Sequence, residues 1–153
     1  MKPYGMITML LVAALMLMGA FVAPQSLYAQ CVPPPNGMVD WWALDETVGP
    51  TSNDIGGAVN NSGTWINNPV PVVTGEVAGA LMFNGSNSVE VPDQAELNFG
   101  TGDFSIDLWI KTTDASGTRT ILDKRTGSET DPTGYALFLA NGYLGSQIGD
   151  GTH

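Results

Sequence analysis

An all-β domain is what this sequence predicts, and three observations carry that expectation. Residues 104–111 (FSIDLWIK) alternate Phe104, Ile106, Leu108 and Ile110 with Ser105, Asp107, Trp109 and Lys111, the period of a strand with one buried face. Beyond the apolar N-terminal run, no stretch keeps helical spacing over three turns. Turn-forming clusters recur at intervals of roughly ten residues, and short strands at that spacing build a sandwich or a barrel.

The first 29 residues stand apart from the domain. Lys2 precedes an apolar run over 6–23, followed by Pro24 and a more polar tail ending in Ala29, the pattern of a secretory signal cleaved after Ala29. A membrane anchor is the alternative, since the run is just long enough to span a bilayer. Pro24 and the absence of a basic stop-transfer cluster favour cleavage. A lipoprotein fits less well, because Tyr28 and Gln30 crowd the position before Cys31 where small residues are wanted. The expected location is therefore secreted, extracellular or at the cell surface, with membrane attachment only through an uncleaved signal.

Residues 30–153 suffice for one domain with one core. The chain carries 15 acids against five Lys and Arg, a formal charge of −10, and loss of the signal would remove a base and no acid. Phosphate backbones and anionic membranes would be repelled, which excludes nucleic acid as an expected partner. Cys31 is the single cysteine, so no internal disulfide can form; it is left free, or to pair with another chain or with a residue outside this piece.

The elements follow in order. Residues 30–37 include Pro33, Pro34 and Pro35, a stiff extended lead-in. Residues 38–44 (MVDWWAL) read as a first strand, apolar on both faces. Residues 45–63 are rich in Gly, Asn, Ser and Asp and read as a long loop, either functional or held by something bound. Trp65-Ile66 and 70–73 give two short extended pieces, with Trp65 expected in the core and the second piece at an edge because of Pro69 and Pro71. Residues 81–83 and 88–91 read as a hairpin across Asn84-Gly85-Ser86-Asn87. Leu97 and Phe99 are apolar plugs in the crossover 92–102. After the strand at 104–111 come a strand at 120–124 and a hairpin, 135–140 and 143–148, joined by Asn141-Gly142, the strongest two-residue turn signal. The chain then stops straight after a strand, as a fragment of a longer reading frame would.

These pieces, taken in order, resemble the laminin G-like jelly roll of the concanavalin A-like lectin/glucanase superfamily. The residues that carry the likeness are 38–46 (MVDWWALDE), 54–57 (DIGG), 75–85 (GEVAGALMFNG), 89–92 (VEVP), 104–111 and 134–137 (GYAL). The resemblance covers 38–153 and implies an antiparallel two-sheet jelly-roll sandwich, incomplete at the C-terminus because the family's usual closing strands would lie beyond His153. It further implies an extracellular module that binds glycans or proteins, often with a calcium ion at one rim. Fold alone does not fix function.

Three kinds of chemistry can be weighed on the residues. Retaining glucanases of this superfamily use carboxylates spaced Glu-x-Asp-x-x-Glu on one strand face. Glu129-Thr130-Asp131 begins that pattern, but its third position is Gly134, and Glu90, Asp93 and Glu96 are not spaced to share a face. The only histidine is His153, so no Ser-His or Cys-His pair is available, and no catalysis is expected of this chain. Calcium prefers six to eight oxygens, which a Gly/Asn/Asp loop can supply. Asp54, with Asn53 beside it, is the candidate metal ligand, against the plainer reading that Asp54 caps its own turn. Trp109, flanked on its face by Asp107 and Lys111, is the candidate ligand platform: the indole would stack on a sugar ring while Asp107 bonds hydroxyls. The plainer reading is packing beneath a covering loop or against a neighbouring chain, favoured because large aromatics are mostly buried and because, as the resemblance implies, this tryptophan recurs in family members with different ligands. Trp41 and Trp42 carry the same ambiguity. Asn60-Asn61-Ser62 and Asn84-Gly85-Ser86 match the N-glycosylation sequon, a pattern frequent by chance in such loops. The expected function is a non-catalytic binding module for carbohydrate or an extracellular protein. The alternatives are a structural or adhesive spacer, or an accessory part of a glycoside hydrolase.

Overall fold

The computed structural model describes residues 34–128 and 130–152. The expected signal sequence 1–29, Cys31 and Glu129 lie outside the described residues. Regular structure in the described part is almost entirely β. Nine strands are present, β1 (Thr51–Ser52), β2 (Gly63–Ile66), β3 (Val70–Val72), β4 (Ala80–Met82), β5 (Ser88–Glu90), β6 (Thr118–Asp123), β7 (Thr126–Gly127), β8 (Pro132–Ala140) and β9 (Tyr143–Asp150), with one 3₁₀ turn at Ala95–Leu97. Among the described residues no helix is long and apolar enough to cross a membrane.

The strands form three open antiparallel sheets. In the first, β2 lies between β1 and β5; along β2, Gly63 and Trp65 are buried and Thr64 is exposed, the two-residue alternation that lets a strand bury one face. The indole of Trp65 is 8 % exposed, in the core as expected. The second sheet is the pair β3–β4, with Pro71 opposite Leu81, and Pro71 sits in a strand with a neighbour on one side only, where its missing N–H costs no ladder bond. In the third, β8 is central, with β6 and β7 along one edge and β9 along the other. Ala136 and Leu139 of β8 are buried. The β8–β9 hairpin turns at Asn141 (φ 49°) and Gly142 (φ 83°), the positive-φ pair that a tight hairpin requires. Ladder pairing of β6 with β8 jumps from Thr120 opposite Phe138 to Leu122 opposite Leu137, so Ile121 is the extra residue of a bulge.

A small aromatic group ties the 92–104 crossover to β8. Phe99 stacks on Phe104 and on Tyr135 with centroids 4.4 and 4.9 Å apart. Tyr135 Oη donates to the carbonyl of Leu97 at 3.1 Å. Leu97 is buried, as its place in the crossover predicted.

Four expectations are corrected. Residues 104–111 form no ladder and carry no strand assignment; alternation specifies which face would be apolar but supplies no partner strand, and apart from half-buried Ile106 the run lies exposed. Residues 38–44 make one isolated bridge, Trp42 to Asp54, and the extended run ends at Leu44, whose φ of 55° is left-handed. Strands β4 and β5 do not pair with each other: β4 joins β3 and β5 joins β2. The loop between them is closed by its own side chains, with Asn84 Oδ1 accepting from Ser86 and Asn87 Oδ1 from the Asn84 amide, and so acts as a sheet-to-sheet connection. The described part of the lead-in, from Pro34 on, turns at Asn36-Gly37, with Met38 N donating to Pro35 O at 3.1 Å.

Candidate functional site

Asp54 organises the long loop. Its Oδ1 accepts the backbone N–H groups of Trp41 (2.9 Å) and Gly56 (2.8 Å), and its Oδ2 accepts that of Asn61 (3.1 Å). The bond to Gly56 is the two-residue Asx turn weighed from the sequence, but the carboxylate also reaches across the loop in both directions. Gly56 is required by that close approach. A Cβ there would fall 2.6 Å from Trp41 N and 2.7 Å from the Asp40 carbonyl carbon. Asn53, the neighbour proposed beside Asp54, is not drawn into this group: its side chain is exposed and its backbone N–H donates to Glu46 Oε1 at 2.7 Å.

Behind Asp54 lies a polar cluster that the sequence reading did not assemble. Asn61 is 2 % exposed; its Nδ2 donates to Asp40 Oδ1 (2.6 Å) and Glu96 Oε1 (3.0 Å), and its carbonyl accepts Trp42 Nε1 (2.8 Å). Three separate segments therefore meet at one side-chain amide: the opening run, the loop before β2 and the 3₁₀ turn. Two oxygens in the cluster, Asp40 Oδ2 and Asn61 Oδ1, are buried without a hydrogen-bond donor, an arrangement native interiors rarely leave unfilled.

The electrostatics are uneven. Burial pushes the Asp40 carboxyl above the usual carboxylate range, against the lowering bond from Asn61 and with the neighbouring charges of Asp54 and Glu96. Burial also opposes ionisation of Asp54, but the amides of Trp41, Asn61 and Gly56 outweigh it and hold Asp54 below the usual range. Burial, with the charge of Asp40, raises Tyr135. Among the described residues no three His, Cys, Asp or Glu side chains are placed to hold a metal ion by themselves.

The signals for this cluster were present but dispersed. Asp40 is the one polar residue in MVDWWAL, Asn61 lies inside a sequon, and Glu96 is one of three nearby acids whose spacing gives no shared face. Only the fold brings them within bonding distance.

The second candidate region is the open run at 104–111. Asp107 and Trp109 are both exposed, Trp109 to 75 %. Lys111 is exposed on the same run. A shallow hollow of about 410 Å³ lies along residues 46–51 and Asn53. Its one ionisable group is Glu46, whose carboxylate is occupied by Asn53 N and Ser52 Oγ, which gives it no convergent chemistry. Glu90, Asp93 and Glu96 point to separate tasks: Glu90 lies exposed on β5, Asp93 pairs with Lys124, and Glu96 takes the Asn61 amide.

No protein-family model, no curated protein and no solved structure matches this chain.

Proposed function

We propose that this chain is a non-catalytic, extracellular binding module whose ligand is carbohydrate, and that its three open sheets are parts of a laminin G-like jelly-roll sandwich. The observation that supports the reading is the exposed indole of Trp109, 75 % accessible, two residues from Asp107 and from Lys111 on an uncovered run. An aromatic face beside a carboxylate and an ammonium is the combination that stacks on the apolar face of a sugar ring and bonds its hydroxyls. Contact with an extracellular protein is the related use of the same surface. The net charge of −10 directs both away from polyanions. The module contributes recognition and no bond-breaking step; a spacer without a small ligand, or an accessory part of a glycoside hydrolase, is the rival assignment.

A glycan array probed with the purified chain tests the proposal. Binding to a defined set of neutral glycans, lost in Trp109→Ala, is the expected result. No glycan bound, or binding indifferent to Trp109→Ala, sinks it. Hydrolysis of laminarin or agar by the chain would overturn the non-catalytic assignment.

A further inference from the structure

We infer that the open run at 106–112 pairs with the same run of a second copy of this chain, antiparallel, about a two-fold axis at Trp109. This goes beyond the glycan-binding proposal and does not rest on it. The run is fastened at both ends and open between them. Phe104 stacks on Phe99 at 4.4 Å. At the far end the Asp114 amide donates to Thr112 Oγ1 at 3.1 Å, and the Asp114 carboxylate accepts from Ser116 and Arg119. Residues 103–112 contain no turn or bend and no positive φ, and among the described residues their backbone groups make no hydrogen bond with one another or with a neighbour, save the contacts at Thr112. An unpaired row of N–H and C=O groups is a template for an added strand. Fastened ends reduce the ordering that such pairing costs.

The charges select the occupant and the register. Asp107 and Lys111 stand two residues either side of Trp109. With Trp109 on the two-fold axis, Asp107 of each copy lies opposite Lys111 of the other, and Leu108 lies opposite Ile110. Two opposite-charge pairs thus form on one face and two apolar pairs on the other, the cross-strand combinations that stabilise a sheet. A centre at Asp107 or at Lys111 sets like charges on each other, and a centre at Leu108 or Ile110 sets neither charge opposite another. Lys111 is available for this, since the described salt bridges use Arg119, Lys124 and Arg125. Leu108 and Ile110 are 39 % and 49 % exposed, so pairing has apolar surface to cover. Strand β9 also has one neighbour only, but its single charge is Asp150, which selects no register.

In such a contact each copy uses the same patch, the isologous arrangement of a closed dimer. Side chains in paired strands stand roughly perpendicular to the sheet, so the two Trp109 indoles lie side by side with one face still open. Glycan binding can therefore succeed or fail independently of the pairing.

Sedimentation equilibrium of the purified chain over a range of concentrations tests the contact, in reducing buffer so that Cys31 cannot link copies. Salt is held at 0.1 M, where the repulsion between chains of charge −10 is screened beyond about 10 Å. The expected result is a reversible monomer–dimer equilibrium. Asp107→Lys sets Lys opposite Lys at two places and should weaken the dimer by about tenfold or more. Lys111→Asp, which sets Asp opposite Asp, should do the same. Combining Asp107→Lys with Lys111→Asp restores both pairs and should recover most of the lost affinity. Both side chains are exposed, and melting temperatures check that each variant folds. A monomer at every concentration overturns the inference. A dimer indifferent to both single reversals also overturns it, placing association on β9, on the apolar run at 6–23 or elsewhere. Failure of the double variant to recover the dimer rejects the register and the inference with it.

Discussion

Trp65 Nε1 donates to Ser52 Oγ at 2.8 Å, and this bond lies inside the first sheet, with Ser52 fully buried and Trp65 nearly so. The indole fills the core only because one short strand supplies it with an acceptor. Ser52→Ala removes that acceptor and strands a buried donor, which costs about 1–3 kcal/mol. Urea unfolding of the variant should show a lower midpoint with an unchanged slope. An unaltered midpoint would mean that the indole N–H finds water or another partner.

Gly56 sets how closely the loop passes the opening run. A methyl group at this position meets backbone atoms of Asp40 and Trp41 at 2.6–2.7 Å, and backbone yields far less readily than a flexible side chain. Gly56→Ala should therefore cost roughly 1–3 kcal/mol, the range for overpacking a filled site. The same shift would loosen the Trp41 and Gly56 bonds to Asp54. Accelerated amide exchange at Trp41 and Gly56, measured by NMR, checks this; unchanged exchange would contradict the tight approach.

The parts legible in the sequence are those governed by local rules. Asn141-Gly142 demanded a tight turn, and the β8–β9 hairpin turns there. Trp65 sat in a short extended piece and lies in the core. Pro71 pointed to an edge, and β3 has one neighbour. What local rules could not supply is partner choice. Residues 81–83 and 88–91 have the pattern of a hairpin, but their partners are strands β3 and β2, because pairing depends on which neighbours lie across in space. The 104–111 run shows the same limit: a clean alternation defines a face and leaves the partner unspecified. The candidate site was less legible still. Asp54 was singled out from its turn-like context, yet Asp40, Asn61 and Glu96 come from segments far apart in sequence, and their meeting depends on tertiary packing.

Asp114 carries the clearest acid dependence. The Ser116 backbone amide, the Ser116 hydroxyl and Arg119 hold its carboxyl at about 2, down from 3.8. A carboxylate whose folded pKa is depressed stabilises the fold fully above its unfolded pKa, and that contribution is lost as pH falls through the folded value. Stability should therefore drop between about pH 4 and pH 2. Because Asp114 is solvent-exposed, the effect is small and screened by salt. Asp114→Asn should flatten this part of the pH profile of thermal melting; a profile identical to that of the unaltered chain would show that the Arg119 and Ser116 contacts do not persist in solution.

Trp109 and Trp65 give a contrast that separates a ligand platform from a packing residue. Trp65 is 8 % exposed and Trp109 is 75 % exposed, so the same truncation removes buried area in one case and almost none in the other. Trp65→Ala should destabilise by about 3–5 kcal/mol, the cost of emptying a large aromatic site. Trp109→Ala should lie within about 0.5 kcal/mol of the unaltered chain, as surface substitutions do. Paired urea denaturation curves measure both. If Trp109→Ala leaves stability intact and removes glycan binding, the indole serves recognition. A loss of several kcal/mol in Trp109→Ala would mean that something buries this side chain in solution, and the exposed run at 104–111 would then be a packing face.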